Sequence, residues 1–275
     1  MPFRIALSSG TSGDPKGMIV THDLMKTRNH RPEPGFTPRS RVLPMDLNFV
    51  AGFGPVFRTF ALGATVVLPR SMDSDGQFHA LVSHAVTHAT FSPSQAFSLA
   101  DRFAVEDVHC PDLVCLRIGG GPLAPDQYLR IRKVVSPNVY VLYGSTESGQ
   151  IAYASPALLN GCPTTVGEVV PWCRIEVVDA EDRPLPAGET GALRISSEDQ
   201  VSGYCNDEAR TRRHFRDGWY YPGDLGRVER DGLLYVDGRV NELVNVGGDK
   251  FLASSVEQAL ETHPDVVEAG VVAAD

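Results

Sequence analysis

The 275-residue chain is 42% hydrophobic and 21% charged, with 25 basic against 34 acidic residues and a formal net charge of -9. This is the profile of a soluble globular protein with ample core, in one large domain or two, and the acidic balance argues against a basic nucleic-acid-binding face. No apolar run approaches the length needed to cross a bilayer, and the short apolar stretch at the N-terminus does not make a signal peptide.

In chain order, the apolar run from Phe3 to Leu7 reads as a strand and leads into Ser8-Ser9-Gly10-Thr11-Ser12-Gly13-Asp14-Pro15-Lys16-Gly17. Such a loop can point successive backbone N–H groups at a phosphate, and Lys16 adds charge. The hydroxyls of Ser9, Thr11 and Ser12 add donors that can turn with a departing pyrophosphate. A mononucleotide P-loop is excluded, because Gly17 follows Lys16 where a magnesium-holding Ser or Thr is needed, and the spacing from Gly10 is also wrong. Taken alone, the loop reads equally well as a flexible surface loop.

Ala64 to Pro69 (ATVVLP), between a glycine and a proline, predicts a buried strand. His79, His84 and His88 could form a metal face, but no acidic residue lies between Gln77 and Ala100 to complete it. The rival reading is a solvated helix running into a strand, with His88 at the strand's edge. Cys115 to Gly121 (CLRIGGG) predicts a strand ending in a glycine turn, Ala124 to Val135 a helix, and Val139 to Gly144 another strand. That order is the grammar of an α/β sheet, with ligands expected at the carboxyl ends of its strands.

After about Gly161 the pattern changes to short strands broken by Gly, Asp and Pro: RIEVVD from Arg174, GALRIS from Gly191, and a hairpin from Asp224 to Gly238 turning at Arg230-Asp231-Gly232. From Asn241 a strand-glycine-helix-strand segment follows, with Ser254 to Asp265 as a capped helix and Glu268 to Ala274 strand-like. Five cysteines (Cys110, Cys115, Cys162, Cys173, Cys205) make an odd count with no C-x-x-C pair. They read as buried reduced thiols of a cytoplasmic protein, not as disulfides or a zinc site. There is no internal repeat and no low-complexity tract.

Five segments in one order then point to a family. SSGTSGDPKG (Ser8 to Gly17), RIGGGPL (Arg117 to Leu123), VLYGSTES (Val141 to Ser148), GWYYPGDLGRVERDGLLYVDGR (Gly218 to Arg239) and NVGGDKF (Asn245 to Phe251) resemble the motifs of the adenylate-forming (AMP-binding) superfamily. Its members are acyl- and aryl-CoA synthetases, nonribosomal peptide adenylation domains and luciferases. The resemblance implies an α/β fold: part of a large N-terminal domain, with mixed β-sheets and helices plus a β-rich subdomain, and the beginning of a small α+β C-terminal domain. The expected division is residues 1–160 for the α/β portion, 161–240 for the β-rich subdomain and 241–275 for the start of the small domain.

The resemblance also implies roles. Ser9, Gly10, Thr11, Ser12, Gly13 and Lys16 would contact the pyrophosphate end of ATP. Tyr143 offers a flat ring for adenine, opposite the backbone of Gly119, Gly120 and Gly121, with Gly144 beside it. Thr146 can donate to the α-phosphate and Glu147 can hold Mg²⁺. Asp224 is an acceptor for ribose hydroxyls, and Arg239 can donate to ribose and phosphate. Asn48, Phe49 and Gly144 would line the acid pocket, and Asn241 would be the hinge. Singly, Tyr143 reads as a core aromatic, Asp224 as a turn residue and Arg239 as a surface ion pair; those readings leave the spacing and order unexplained.

The implied activity is ATP-dependent conversion of a fatty or aryl acid to an acyl-adenylate, then a thioester with CoA or a carrier protein's pantetheine. Thr146, Glu147 and Lys16 are the expected catalytic residues. An aromatic residue at Phe49 favours an acyl or aryl acid over an amino acid; Asp46 as the amine anchor of an amino-acid adenylation domain lies too far from Gly63 for that alignment. Two departures stand out. Family members carry a long stretch ahead of the phosphate loop, and a catalytic lysine near the end of the small domain. Here Lys16, Lys26, Lys133 and Lys250 are the lysines of the sequence, and loss of the family's lysine is expected to cost adenylation ~10²-fold or more. The alternative is therefore a catalytically poor nucleotide-binding remnant, or a subunit that works as a homo-oligomer or with a complementing chain. On that expectation, the strands around Phe3 to Leu7 and Val139 to Leu142 lack neighbours and leave an edge or an apolar face uncovered.

Overall fold

The computed structural model describes residues 1–8, 16–246, 249–253, 256–257, 260, 263, 266 and 269–271. The chain opens with an antiparallel ribbon of β1 (Pro2–Ser8) and β2 (Lys16–Thr21), with Ile5 opposite Ile19 and Ala6 opposite Met18. The strand period of two puts Ala6, Met18 and Val20 on the buried face and Ile5, Leu7 and Ile19 on the exposed one. Thr21 caps α1 (His22–Asn29), its hydroxyl accepting the N–H of Leu24.

An α/β portion follows: β3 (Arg41–Leu43), α2 (Val50–Ala61), β4 (Thr65–Val66), α3 (Ser74–Ser83), β5 (His88–Phe91), α4 (Pro93–Glu106), β6 (Cys115–Gly119), α5 (Pro125–Val134) and β7 (Val139–Ser145). The helix boundaries have local causes. Ser92 and Gln95 form a capping box ahead of α4, with Pro93 in its first turn, and Asp107 closes it in the left-handed region. α4 buries Ala96, Leu99, Ala100 and Phe103, one stripe at helical spacing. Those side chains meet Phe91, Leu116, Ile118, Ile131 and Val139 from the strands and α5 in the main core.

The chain then runs through β8 (Gly149–Ala154), α6 (Pro156–Gly161), β9 (Gly167–Val169), β10 (Cys173–Val178), β11 (Gly191–Ser197), α7 (Glu208–His214), β12 (Phe215–Arg216), β13 (Trp219–Tyr220), β14 (Asp224–Val228) and β15 (Leu233–Arg239). A 3-10 turn at Val240–Glu242 leads to β16 (Leu243–Val246) and β17 (Asp249–Leu252), an antiparallel pair.

The sheet among the described residues is 13-stranded, in the order β12-β13-β11-β14-β15-β9-β8-β7-β6-β5-β3-β4, with β10 paired to β11. β4, β3, β5, β6 and β7 are parallel; β8 returns antiparallel to β7 and hands the sheet to β9. The α/β and β-rich portions thus share one sheet across residue 160. Mixed α/β is the fold class expected from the sequence.

Two local expectations need correction, and one needs an addition. Ala64 to Pro69 yields only the two-residue β4, which pairs β3 alone at the sheet edge, so it is not a buried strand. His88 opens β5, at the strand's edge as expected. It is fully buried, its ring bonded to Thr87 Oγ1 (2.8 Å) and to the carbonyl of Pro34 (2.9 Å), while His79 and His84 stay exposed. Val139 to Leu142 does not lack neighbours, since β8 supplies one beside β6. The helix expected from Ser254 to Asp265 and the strand-like Glu268 to Ala274 lie largely outside the described residues.

Candidate functional site

The carboxyl ends of β6 and β7 meet the start of the β14–β15 hairpin. Gly119 lies opposite Leu142, where a Cβ would come 2.9 Å from the Leu142 carbonyl oxygen, and Gly120 turns at φ +89. One position along β7, the Tyr143 hydroxyl donates to Asp224 Oδ2 at 2.5 Å. Asp224 pairs with Arg239 in the hairpin register, and Arg239 Nε stands 2.8 Å from Asp224 Oδ1. Tyr143, Asp224 and Arg239 therefore form one connected group although they come from three strands.

Burial raises the Asp224 carboxyl above its usual range, and the charge of Glu147 adds to this; the Tyr143 hydrogen bond and Arg239 pull the other way. The Tyr143 phenol is pushed up well above its ordinary value by burial and by Asp224, so it stays a proton donor. Each Asp224 oxygen has two lone-pair directions and gives one to a protein partner, leaving acceptor capacity for a ligand.

The β7–β8 connection carries Thr146 and Glu147. The ladder slips between Tyr143 and Gly144, where a Cβ would lie 2.5 Å from the Gly149 carbonyl oxygen. Glu147 is buried, and its Oε1 accepts the Tyr204 hydroxyl at 2.9 Å. Its carbonyl accepts the Val201 N–H at 2.8 Å. Lys16, the first residue of β2, holds its ammonium 5.5 Å above the Tyr204 ring. Burial lowers the Lys16 pKa, opposed by Glu147 and reinforced by Arg210, Arg239 and Arg213. Lys16, Arg210, Arg213 and Arg239 thus feel one another's charge, with Glu147 among them, Asp224 paired to Arg239 and Asp207 to Arg210, and Lys16 and Arg213 make no ion pair among the described residues.

A carboxylate such as Glu147 has the hard oxygen donors that a divalent cation takes. Its second oxygen takes no hydrogen bond among the described residues. Those residues contain no group of three or more His, Cys, Asp or Glu able to cage a metal. One carboxylate without a protein cage fits Mg²⁺ held jointly with substrate phosphates.

Asn48 and Phe49 lie exposed at the start of α2, where Asp46 Oδ1 accepts the Asn48 N–H at 2.9 Å; no hydrogen bond or ring contact joins them to Gly144 among the described residues. Gly121 packs toward Pro93, and Asn241 sits in the 3-10 turn between β15 and β16. Ser9, Gly10, Thr11, Ser12 and Gly13 lie outside the described residues. The sequence reading missed Arg28 and Tyr204, which bond the Thr146–Glu147 turn from elsewhere in the chain, and Asp199, whose carbonyl accepts from Arg28. No local motif marks them.

A hollow of about 670 Å³, bordered by Gly188, Glu189, Glu229 and Asp231, lies at the turn end of the β14–β15 hairpin, opposite the end that carries Asp224. Its size does not make it the site, since it holds none of the converging groups. A second hollow of about 340 Å³ borders Tyr204, Ile19 and Thr211. No helix among the described residues is long and apolar enough to cross a membrane.

A family profile described as AMP-binding enzyme matches residues 2–205. The indoleacetate–CoA ligase of Aromatoleum aromaticum is 29% identical over 98% of this chain and 54% of its own length. The 2-succinylbenzoate–CoA ligase of Bacillus licheniformis is 31% identical over 98% of this chain and 56% of its own. The o-succinylbenzoate CoA synthetase of Bacillus subtilis has been solved in complex with the acyl-adenylate intermediate, and the match has a TM-score of 0.88 and 28% identity over 98% of this chain and 56% of that one. The same synthetase in complex with ATP and magnesium ion matches with a TM-score of 0.88 and 28% identity, over 98% and 57%. The chain spans about half the length of the curated relatives it matches.

Proposed function

Because this chain belongs to the family of AMP-binding enzymes, we propose that its site activates a carboxylic acid with ATP, forming an acyl-adenylate whose acyl group then passes to CoA. The connected group of Tyr143, Asp224 and Arg239, with Glu147 and Lys16 beside it, carries this reading. An aryl acid is the proposed substrate class, in keeping with the named substrates of the relatives. CoA is the proposed acceptor, and a carrier-protein pantetheine would offer the same thiol.

In the first step a carboxylate oxygen of the acid attacks the α-phosphorus of ATP, and the bond to pyrophosphate breaks. In the second, the CoA thiol loses its proton and attacks the acyl carbonyl, and AMP leaves. The residues have positioning and electrostatic work to do in both. The Tyr143 ring and the Gly119–Gly121 backbone would sandwich the adenine, and the free acceptor positions of Asp224 would take the ribose hydroxyls. Arg239, half-exposed and anchored through Nη1 on the Pro222 carbonyl at 3.2 Å, would present its remaining N–H groups to ribose and phosphate. Thr146 and Lys16 would meet phosphate oxygens as negative charge shifts onto pyrophosphate. Glu147 would hold Mg²⁺, whose charge, when bound, neutralises that of the phosphates.

In this proposal residues 1–160 and 161–240 supply the two sides of one nucleotide pocket. The test is calorimetric titration with AMP, and with a non-hydrolysable aryl-acyl sulfamoyl adenosine that stands in for the adenylate. Tighter binding of the acylated analogue than of AMP is expected. Equal affinity for a guanosine counterpart, or no binding of either adenosine compound, would contradict the proposal.

A further inference from the structure

Thr146 and Glu147 lie in a turn, and turns keep side chains in place only when something outside them fixes the backbone. Here one guanidinium bonds two of the turn's carbonyls, beside the Val201 N–H that also reaches the Glu147 carbonyl. Arg28, in the last turn of α1, donates from Nη2 to the carbonyls of Thr146 (3.1 Å) and Glu147 (3.4 Å), and from Nε and Nη2 to the carbonyl of Asp199 (3.0 and 2.5 Å). The next carbonyl of the turn, Ser148, accepts the Ser197 hydroxyl at 3.0 Å. Three successive carbonyls are thus tied down from outside.

The Asp199 end is itself immobilised. Its carboxylate is buried and receives Arg31 Nη2 at 3.0 Å, while Arg31 also reaches Glu198 and lies over the Trp172 ring. Gly149 closes the turn at φ +70, and a Cβ there would come 3.0 Å from Asp199 Cβ and 3.4 Å from Arg28 Nε. The turn is wedged against this pair with no room to drift. A lysine could not reproduce the arrangement, since one ammonium cannot serve three carbonyls in the plane of a fork.

We propose that Arg28 is a positioning residue for the magnesium- and phosphate-binding end of the site. It fixes the Thr146–Glu147 turn, and through α1 and β2 it couples that turn to the strand that begins at Lys16. It rests on the nucleotide reading above and adds to it a residue that touches neither nucleotide nor metal.

The experiment compares wild type, Arg28→Met and Arg28→Lys by titration with ATP and Mg²⁺ and with AMP alone, alongside thermal melts. Arg58→Met serves as a control, because Arg58 is also a largely buried arginine, but it is ion-paired to Glu33 at 2.9 Å and bonds no carbonyl of the Thr146–Glu147 turn among the described residues. Arg28→Met should weaken ATP binding in the presence of Mg²⁺ ~10-fold or more, the usual cost of removing a group that orients a metal ligand, with a smaller loss for AMP, which keeps the α-phosphate contact of Thr146 but needs no Mg²⁺. Arg28→Lys should recover part of that loss. Arg58→Met should lower the melting temperature and leave the ratio of ATP to AMP affinity as in wild type. Equal loss of both nucleotides in the folded Arg28→Lys protein, or no loss in Arg28→Met, would overturn the positioning role. Absence of ATP binding in wild type would instead remove the nucleotide reading, and this inference with it.

Discussion

Asp224→Asn isolates one charge at the point where β7 and the β14–β15 hairpin meet. Asparagine keeps the size of the side chain and an oxygen for the Tyr143 hydroxyl, but it loses the ion pair to Arg239 and the acceptor-only character that suits two ribose hydroxyls. A hydrogen bond to a charged acceptor is worth about 1 to 1.5 kcal/mol more than one to a neutral acceptor, so two ribose bonds lose roughly 2 to 3 kcal/mol. At about 1.4 kcal/mol per tenfold, AMP affinity should fall roughly 30- to 140-fold. Fold stability should move far less. Arg239 is 44% exposed, so its pairing is screened, and removing the charge also relieves the burial penalty that raises the carboxyl pKa.

Acidity supplies a second readout of the same substitution. Because the folded pKa of Asp224 is raised, its contribution to stability is full below the ordinary value of 3.8 and is lost as pH rises through the folded value. Nucleotide binding needs the ionised form, so AMP affinity should drop on acidification before ordinary carboxylates protonate. Calorimetry across pH, paired with urea denaturation, measures both. A folded Asp224→Asn protein that binds AMP as wild type does, with the same pH profile, would refute the placement of ribose at Asp224.

Tyr204→Phe keeps the ring beneath Lys16 and removes the donor to the buried Glu147 carboxylate; urea denaturation should show a loss of about 1.5 to 3 kcal/mol, and no loss would mean the bond is dispensable. His88 is buried with its pKa lowered by desolvation, so its contribution to stability is full above 6.5 and falls as pH drops through and below that value. His214 is lowered in the same sense, and His88→Asn should therefore reduce, without abolishing, the acid-side slope of the denaturation midpoint. Burial pushes the thiol of Cys110 up to about 11 and that of Cys115 up to about 12; mass spectrometry after iodoacetamide should find Cys162 and Cys205 alkylated first, and early labelling of Cys115 would contradict its packing.

Much of this fold is written locally. The run from Cys115 to Gly119, the helix opened by Pro125 and the hairpin around Asp231-Gly232 each carry their own periodicity and turn residues, and each forms where the sequence predicts. The meeting of Tyr143, Asp224 and Arg239 was legible only through motif order, since 81 residues separate the hydroxyl from its acceptor. Arg28 was not legible at all. Its partners lie 118 to 171 residues away, and they are backbone carbonyls, which leave no mark on composition or spacing. The depth at which His88 is buried was hidden for a related reason: the Pro34 carbonyl that bonds its ring comes from another part of the chain. The short β4 reflects an edge position, which no apolar run reveals by itself.

The most direct test of the nucleotide pocket is photolabelling of the whole chain with 8-azido-ATP, followed by peptide mapping with and without excess AMP. The azide sits on the adenine, so the label should be recovered in peptides carrying Gly119 to Gly121 or Tyr143, and AMP should suppress it. Label that AMP does not compete, or that is recovered around Gly188 and Glu229 in the larger hollow at the far end of the hairpin, would contradict the account.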